Sequence, residues 1–288
     1  MLVLIRGAGD LASGVALRLY HAGFDVVMTD LARPTAIRRT VAFSQAIALG
    51  ETSVEGVTAR LATAETVPAV LAAREIPVLI DPEAACRAIL QPRVLVDAIL
   101  AKRNLGTSIT DAPVVIALGP GFTAGRDCHA VVETMRGHTL GRVIWDGPAL
   151  PNTNVPGLIG GFAGERVLRA PADGIFRPVL DIGALVEAGD VAGYVGDAPM
   201  VCTIGGVLRG ILPPDTPVRK GMKSGDVDPG PRCPTAIPSP TRPWPSAAAS
   251  WKPYCKKRTC CETNAAGFLR EEAGCGAGGH LGRPYERA

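Results

Sequence analysis

Residues Arg6-Gly7-Ala8-Gly9-Asp10-Leu11-Ala12-Ser13-Gly14 have the composition of a turn that receives a phosphate. Gly7 permits a tight bend, Gly9 lets backbone approach the anion, and Ala12 lets the following helix lie close to a sheet. A helix beginning here offers free N–H groups and the positive end of its dipole. Asp30 stands 21 residues after Gly9, where an acidic side chain would accept from a ribose hydroxyl. The pattern points to NAD(P) or another nucleotide held by Gly7, Gly9, Asp10, Ala12, Gly14 and Asp30. Two features pull the other way. Asp10 brings negative charge to a phosphate site, and Arg33 suits a 2′-phosphate as readily as Asp30 suits the hydroxyl. The competing reading is a scaffold whose glycines serve only turns and packing.

A second set of polar groups, Lys102, Asn104 and Thr107, is followed by Gly119-Pro120-Gly121-Phe122. Both stretches leave the carboxyl ends of apolar runs, where open α/β sheets bind ligands. The spacing is not that of a P-loop. Downstream, Asp127-Cys128-His129 leads to Glu133, Arg136 and His138. His129 and Glu133 fall on one face of either a strand or a helix, so they are expected together, as an acid/base site with His138 or as a plain hydrogen-bonded pair, and with Arg136 they extend the candidate second site. No metal is expected, because the paired-histidine spacing of a zinc hydrolase is missing. There is also no nucleophile elbow, no Cys-x-x-Cys and no Tyr-x-x-x-Lys pair.

These groups need a scaffold, and the hydrophobic periodicity supplies one. Residues 2–5 read as a strand, 10–22 as a helix and 26–29 as a strand. Further strands are expected at 54–59, 77–81, 94–97 and 114–118, with helices at 67–74 and 83–90. Strands alternating with helices imply a parallel sheet covered on both faces. The expected fold class is therefore α/β, with a Rossmann-like domain over residues 1–112 and a segment over 113–165 that completes it. From residue 166 the pattern becomes short β segments separated by Gly. Setting Gly174 on Gly206 aligns Phe176 with Leu208, Arg177 with Arg209, Val186 with Val218 and Gly189 with Gly221. One such unit cannot bury its own apolar face, so residues 166–228 are expected to pair two copies in a small barrel-sandwich. The shape is that of biotinyl and lipoyl carrier domains, yet residues 178–208 contain no Lys to carry a prosthetic group.

The 288 residues are 47% hydrophobic and 20% charged, which is globular. The net charge of +3 is uneven: residues 1–228 hold 21 basic and 23 acidic side chains, residues 229–288 hold 9 and 4. With no basic stripe on the globular part, nucleic acid is not an expected partner. No apolar run is long enough to span a membrane and no secretory signal opens the chain, so a cytoplasmic protein is expected. In that compartment Cys86, Cys128 and Cys202 read as single thiols.

Residues 1–229 resemble the YqeB family, accessory proteins of the selenium-dependent molybdenum hydroxylase system. The resemblance is carried by residues 5–12, Arg38-Arg39-Thr40-Val41, Asp97-Ala98-Ile99-Leu100-Ala101-Lys102, residues 119–125, Glu133-Thr134-Met135-Arg136-Gly137-His138, Lys220-Gly221-Met222-Lys223 and Gly225-Asp226-Val227-Asp228. It implies a role in maturing a molybdenum hydroxylase of the xanthine dehydrogenase type. The apo-hydroxylase would be the partner, and a molybdopterin species would join NAD(P) as a conceivable ligand. It assigns no reaction, so an NAD(P)-dependent oxidoreductase and a ligand-free docking scaffold stay open beside it. Asn154 stands where the family pattern leads to Gly.

The remainder, 229–288, fits no element: it is Pro-rich, then carries Cys255, Cys260, Cys261 and Cys275 without a zinc-type pairing. We read it as an aberrant, disordered tail translated out of frame. Codons permitted for residues 234–259, read one base off, give an open frame with a Gly hinge, a Val-Leu helical stripe and an acidic end that resembles the family's C-terminus. The coding DNA around codons 229–233 is expected to show the slip.

Overall fold

The computed structural model describes residues 1–230; the tail reading above lies outside the described residues. The chain opens with β1 (Leu2–Arg6), α1 (Asp10–His21), β2 (Asp25–Asp30), α2 (Gln45–Leu49), β3 (Glu51–Val54), β4 (Val57–Ala62), α3 (Val67–Ala72), β5 (Ile76–Ile80), α4 (Arg87–Leu90), β6 (Val94–Asp97) and β7 (Val114–Leu118). Then come β8 (Thr123–Ala124), β9 (Ala130–Val132), β10 (Val143–Ile144) and β11 (Gly147–Pro148). The protein is mixed α/β. Its nine-stranded sheet has the order β10-β9-β7-β6-β1-β2-β5-β4-β3. All neighbours pair in parallel except the two edge strands, β10 and β3.

The alternation of side chains explains why both faces are covered. Val3, Ile5, Val26 and Met28 point into a core closed by Ala12, Ala16, Leu17 and Phe43, on the α1 side. Leu4 and Val27, the residues between, point into a second core closed by Val67, Val70, Ala84 and Phe122. A strand buried on both faces reads as a continuous apolar run, as residues 2–5 do. Expectation and structure differ at residues 54–59, which are not one strand but the turn of a hairpin. Glu55 and Gly56 both have positive φ, +50° and +79°, the signature of a tight two-residue connection between β3 and β4. The helix expected over 83–90 is reduced to α4. Asn154 adopts φ +57°, in the left-handed region that glycine favours and asparagine tolerates.

The second unit consists of β12 (Val167–Arg169), β13 (Gly174–Pro178), β14 (Leu185–Val186), β15 (Val191–Val195), β16 (Ala198–Val201), β17 (Gly206–Ile211), β18 (Thr216–Val218) and β19 (Lys223–Asp228). They form two antiparallel four-stranded sheets, ordered β12-β19-β17-β14 and β16-β15-β13-β18. The sequence repeat is visible in the pairing. β13 pairs with β15 and β18, and its counterpart β17 pairs with β19 and β14. Each half thus lends its second strand to the other half's sheet. One core, with Phe176, Met200, Leu208, Ile211 and Leu212 at its centre, serves both. Of the aligned arginines, Arg177 is exposed while Arg209 is mostly buried.

Candidate functional site

The first turn leaves the carboxyl end of β1 beside β6, where the strand order reverses. Gly7 has φ +104°, and a Cβ there would lie 2.9 Å from the carbonyl oxygen of Ala98, so the bend over the end of β6 requires glycine. Gly7 N–H donates to the Thr29 carbonyl at 2.8 Å. Asp30 holds the turn from the other side: its carboxylate accepts Ala8 N–H at 2.9 Å and Leu31 N–H at 2.7 Å. Burial pushes this carboxyl upward in spite of both bonds. Ala12 is fully buried, and Gly14 is buried inside α1. Gly9 is the N-cap, with φ −66° and no side chain capping the helix. A Cβ on Gly9 would meet only the Ala36 methyl, at 3.9 Å.

The loop after β2 lies across this turn. Ser44 N–H donates to the Ala8 carbonyl at 2.9 Å, and Phe43 N–H to the Ser13 hydroxyl at 2.7 Å. Asp10, in the first turn of α1, is not unpaired, because Arg38 meets it at 3.1 Å. The same loop fastens the second unit. Ile211 N–H donates to the Ile37 carbonyl at 2.8 Å, and Arg39 donates to the Ile211 carbonyl at 2.9 Å.

Where the two units meet, cations gather. Asp226, almost fully buried, accepts from Arg209 through two N–H groups, one of them at 2.9 Å, and from Arg166 at 3.1 Å. Arg38 reaches it at 3.5 Å. Burial acts against the charged carboxylate, but Arg209, Lys223 and Arg38 outweigh it and hold Asp226 below the usual range. Arg209 also pairs with Asp228 at 3.3 Å. Arg166, 4% exposed, keeps its Nε without a partner. Arg136 comes in from the loop between β9 and β10; desolvation, with Arg209, Arg38 and Arg166 close by, lowers its pKa, and Asp226 opposes this. Lys223 stands exposed at the rim, its pKa lowered by desolvation and by Arg38 and Arg209 against the pull of Asp226 and Asp10.

The other expected residues are occupied differently. Thr107 donates to Asp97 at 2.6 Å and accepts from the buried Arg6 at 2.9 Å, while Arg6 also donates to the Pro82 and Leu105 carbonyls. Asn104 accepts Gly106 N–H and Thr107 N–H and donates to the Thr107 carbonyl. Asn104 and Thr107 are thus engaged in closing their own loop rather than presented outward; Lys102 is exposed, in the left-handed region at φ +63°. Gly121 sits against this loop, since a Cβ would fall 2.5 Å from Arg103 Cα, and Gly119 against Thr134. His129 and Glu133 do not come together, a correction to the reading from spacing. They flank β9, about 13 Å apart along an extended chain. His129 Nδ1 accepts Val115 N–H at 2.9 Å, and Glu133 accepts Met135 N–H and Leu150 N–H at 2.7 and 2.8 Å. His138 is exposed. Among the described residues no group of three His, Cys, Asp or Glu could hold a metal ion. Burial raises the Cys128 thiol to about 11 and the Cys86 thiol to about 12, so neither is a ready nucleophile at neutral pH.

Spacing alone missed Arg38, Arg166, Arg209, Lys223 and Asp226 as site residues. The available signals were that Arg38, Lys223 and Asp226 lie in segments that carry the family resemblance and that the repeat sets Arg209 on Arg177. No helix among the described residues is long and apolar enough to cross a membrane.

No family model matches the chain. Solved structures with local likeness include a succinylglutamate desuccinylase/aspartoacylase from Rhodobacter sphaeroides, 22% identical, covering 22% of this chain and 21% of that one, TM-score 0.20. Another is the product-bound ectoine utilization protein EutE of Ruegeria pomeroyi, 18% identical over 30% of this chain and 28% of that one, TM-score 0.21. Scores this low carry no argument about fold or activity. The YqeB protein of Escherichia coli (strain K12), whose name assigns it no function, is 56% identical over 229 residues, 79% of this chain and 42% of that protein. The chain spans less than half the length of that relative, and over those 229 residues it belongs to the YqeB family.

Proposed function

We propose that this protein is a cytoplasmic maturation factor for a selenium-dependent molybdenum hydroxylase, and that it holds a nucleotide-bearing ligand, NAD(P) or a related cofactor, at the turn from Gly7 to Gly14. The maturation role and the apo-hydroxylase as partner rest on the family resemblance. The binding role rests on one observation: an uncapped helix N-terminus at Gly9 opens at the carboxyl edge of the sheet, where strand order reverses between β1 and β6. The order β5-β2-β1-β6-β7 supports a Rossmann-like reading of the large sheet, and the exchanged strands support a barrel-sandwich reading of the second unit.

The residues present fit a phosphate-bearing group. Gly9 has no side chain over the helix end, and each Asp30 oxygen keeps a second lone pair beyond its backbone bond. A bound nicotinamide would supply hydride chemistry, whereas the chain's own part is to orient and shield. A second reading, a scaffold that docks the apo-hydroxylase without ligand, draws on the loop of residues 36–44 lying across the turn.

Native mass spectrometry of protein from its own host is expected to show a co-purifying nucleotide or molybdopterin species. Gly9→Val is expected to abolish adenine dinucleotide binding while the protein stays folded, because the side chain enters open space where a phosphate must meet backbone N–H groups. Wild-type protein that binds no nucleotide sinks the reading. So does a Gly9→Val variant that binds as well as wild type.

A further inference from the structure

Five cationic side chains, Arg38, Arg136, Arg166, Arg209 and Lys223, face three carboxylates, Asp10, Asp226 and Asp228, at the junction of the two units. Surface charges scatter and are solvated; these converge from residues far apart in sequence, around one buried aspartate. Arg38, Arg166 and Arg209 are paired to the carboxylates, leaving the side chains of Arg136 and Lys223 with no hydrogen bond or ion pair among the described residues. Arg136 packs on Gly157, where a Cβ would lie 3.3 Å from its side chain, and the Gly157 carbonyl accepts from Arg166 at 3.2 Å. The cluster lies against the first turn of α1 through the Arg38–Asp10 pair. Like charges so placed repel one another until an anion of opposite charge joins them. Two surplus positive charges match a phosphate monoester or a diphosphate. Arg166 adds a second sign of an unfinished site: it is nine-tenths buried, and its Nε points to no acceptor.

We propose that this junction is an oxyanion site for a phosphoryl dianion, clamped between the α1 N-terminus and the second unit, with Arg136 and Lys223 as the ligand-facing cations and Asp226 as the group that positions Arg166 and Arg209. It deepens the nucleotide reading above and rests on that reading only for what the phosphate is attached to. Both units contribute to the site, with Lys223 on β19 and Arg136 on the loop after β9.

The test is calorimetric titration of the full chain with inorganic phosphate and with pyrophosphate, alongside NAD, for wild type, Arg136→Gln, Lys223→Gln, the double variant and Arg177→Gln. Arg177 is the exposed repeat counterpart of Arg209 and serves as the control. Pyrophosphate is expected to bind wild type, each single variant to lose roughly 5-fold or more, and the double variant to lose about 20-fold or more. Binding should weaken as salt rises, and Arg177→Gln should match wild type. In the absence of anion, Arg136→Gln is expected to unfold at an unchanged or higher temperature, since it removes repulsion and no partner; a merely structural arginine would lower it. Tighter binding of pyrophosphate than phosphate identifies a diphosphate ligand, and the reverse order a monoester. Pyrophosphate binding lost in the double variant, with no NAD binding by any protein, keeps the site and removes the nucleotide reading. Folded wild type that binds neither anion at millimolar concentration overturns the proposal, as does a double variant that binds like wild type.

Discussion

Asp226→Asn is expected to lower the folding free energy by roughly 3–5 kcal/mol, read as a fall in the urea midpoint at unchanged slope. The size follows from what remains. Arg166 and Arg209 are largely buried, with side chains 5% and 14% exposed, and Asp226 is the carboxylate they share. Removing the charge leaves Arg166 desolvated with no carboxylate and Arg209 with Asp228 alone, which costs far more than the pair contributes against water. Asp181→Asn is the control: it breaks the ion pair to Arg39 at a carboxylate 83% exposed, and should change stability by less than about 1 kcal/mol.

The acid limb gives a second readout. Asp226 is held below its ordinary value in the folded protein, so its stabilisation is fully present above the unfolded carboxylate pKa of about 4 and is lost as pH falls through the folded value. The gap between wild type and Asp226→Asn should therefore narrow on acidification. Burial shifts Asp30 and Asp97 the other way, so their charged forms weaken the fold at neutral pH and that penalty lifts as pH falls through their raised values. Both are common to the two proteins and cancel in the comparison. A gap that is constant from pH 7 to pH 3 would show that Asp226 is not the charged centre of the cluster.

The scaffold was legible because it is written in local periodicity. Apolar runs such as 2–5 and 94–96 lie in strands buried on both faces, and the glycines at 7 and 9 mark the turn between β1 and α1. The repeat from Gly174 to Gly206 announced the second unit for the same reason, since each copy carries its own alternation. The hairpin at 51–62 escaped because Glu55 is an unusual residue at positive φ, so nothing but Gly56 marked the turn. His129 and Glu133 failed because a shared face says nothing of distance, and β9 is only three residues long, with each side chain taken by a different backbone N–H. The cation cluster was the least legible part. Residues 38, 136, 166, 209 and 223 come from five separate segments; Arg136 stood out only as a neighbour of His129, Glu133 and His138, and each of the others alone reads as an ordinary solvated charge. Only the docking of the second unit on the loop at 37–39 brings them around Asp226.

The repeat also supplies the second large effect, as a pair of substitutions at equivalent positions. Gly206 and Gly174 share nearly the same backbone conformation, φ +151° and +148°, so alanine meets the same conformational penalty at both, on the order of 1–3 kcal/mol. The surroundings differ. At Gly206 an added Cβ would fall 2.1 Å from the Asp228 carbonyl oxygen, a backbone atom of the neighbouring strand that can move only if the β17–β19 pairing shifts. At Gly174 it would meet the Val195 Cγ1 methyl at 2.9 Å, and that side chain can turn away. Gly206→Ala is therefore expected to cost more than about 3 kcal/mol and Gly174→Ala about 1–2 kcal/mol. Because Asp228 and Arg209 sit on the strands that must shift, Gly206→Ala should also weaken pyrophosphate binding, while Gly174→Ala leaves it intact. Thermal unfolding of the two variants decides between a shared backbone penalty and a local clash. Equal losses would mean that β19 yields at residue 228 without strain and that the tight approach there is not a constraint on the fold.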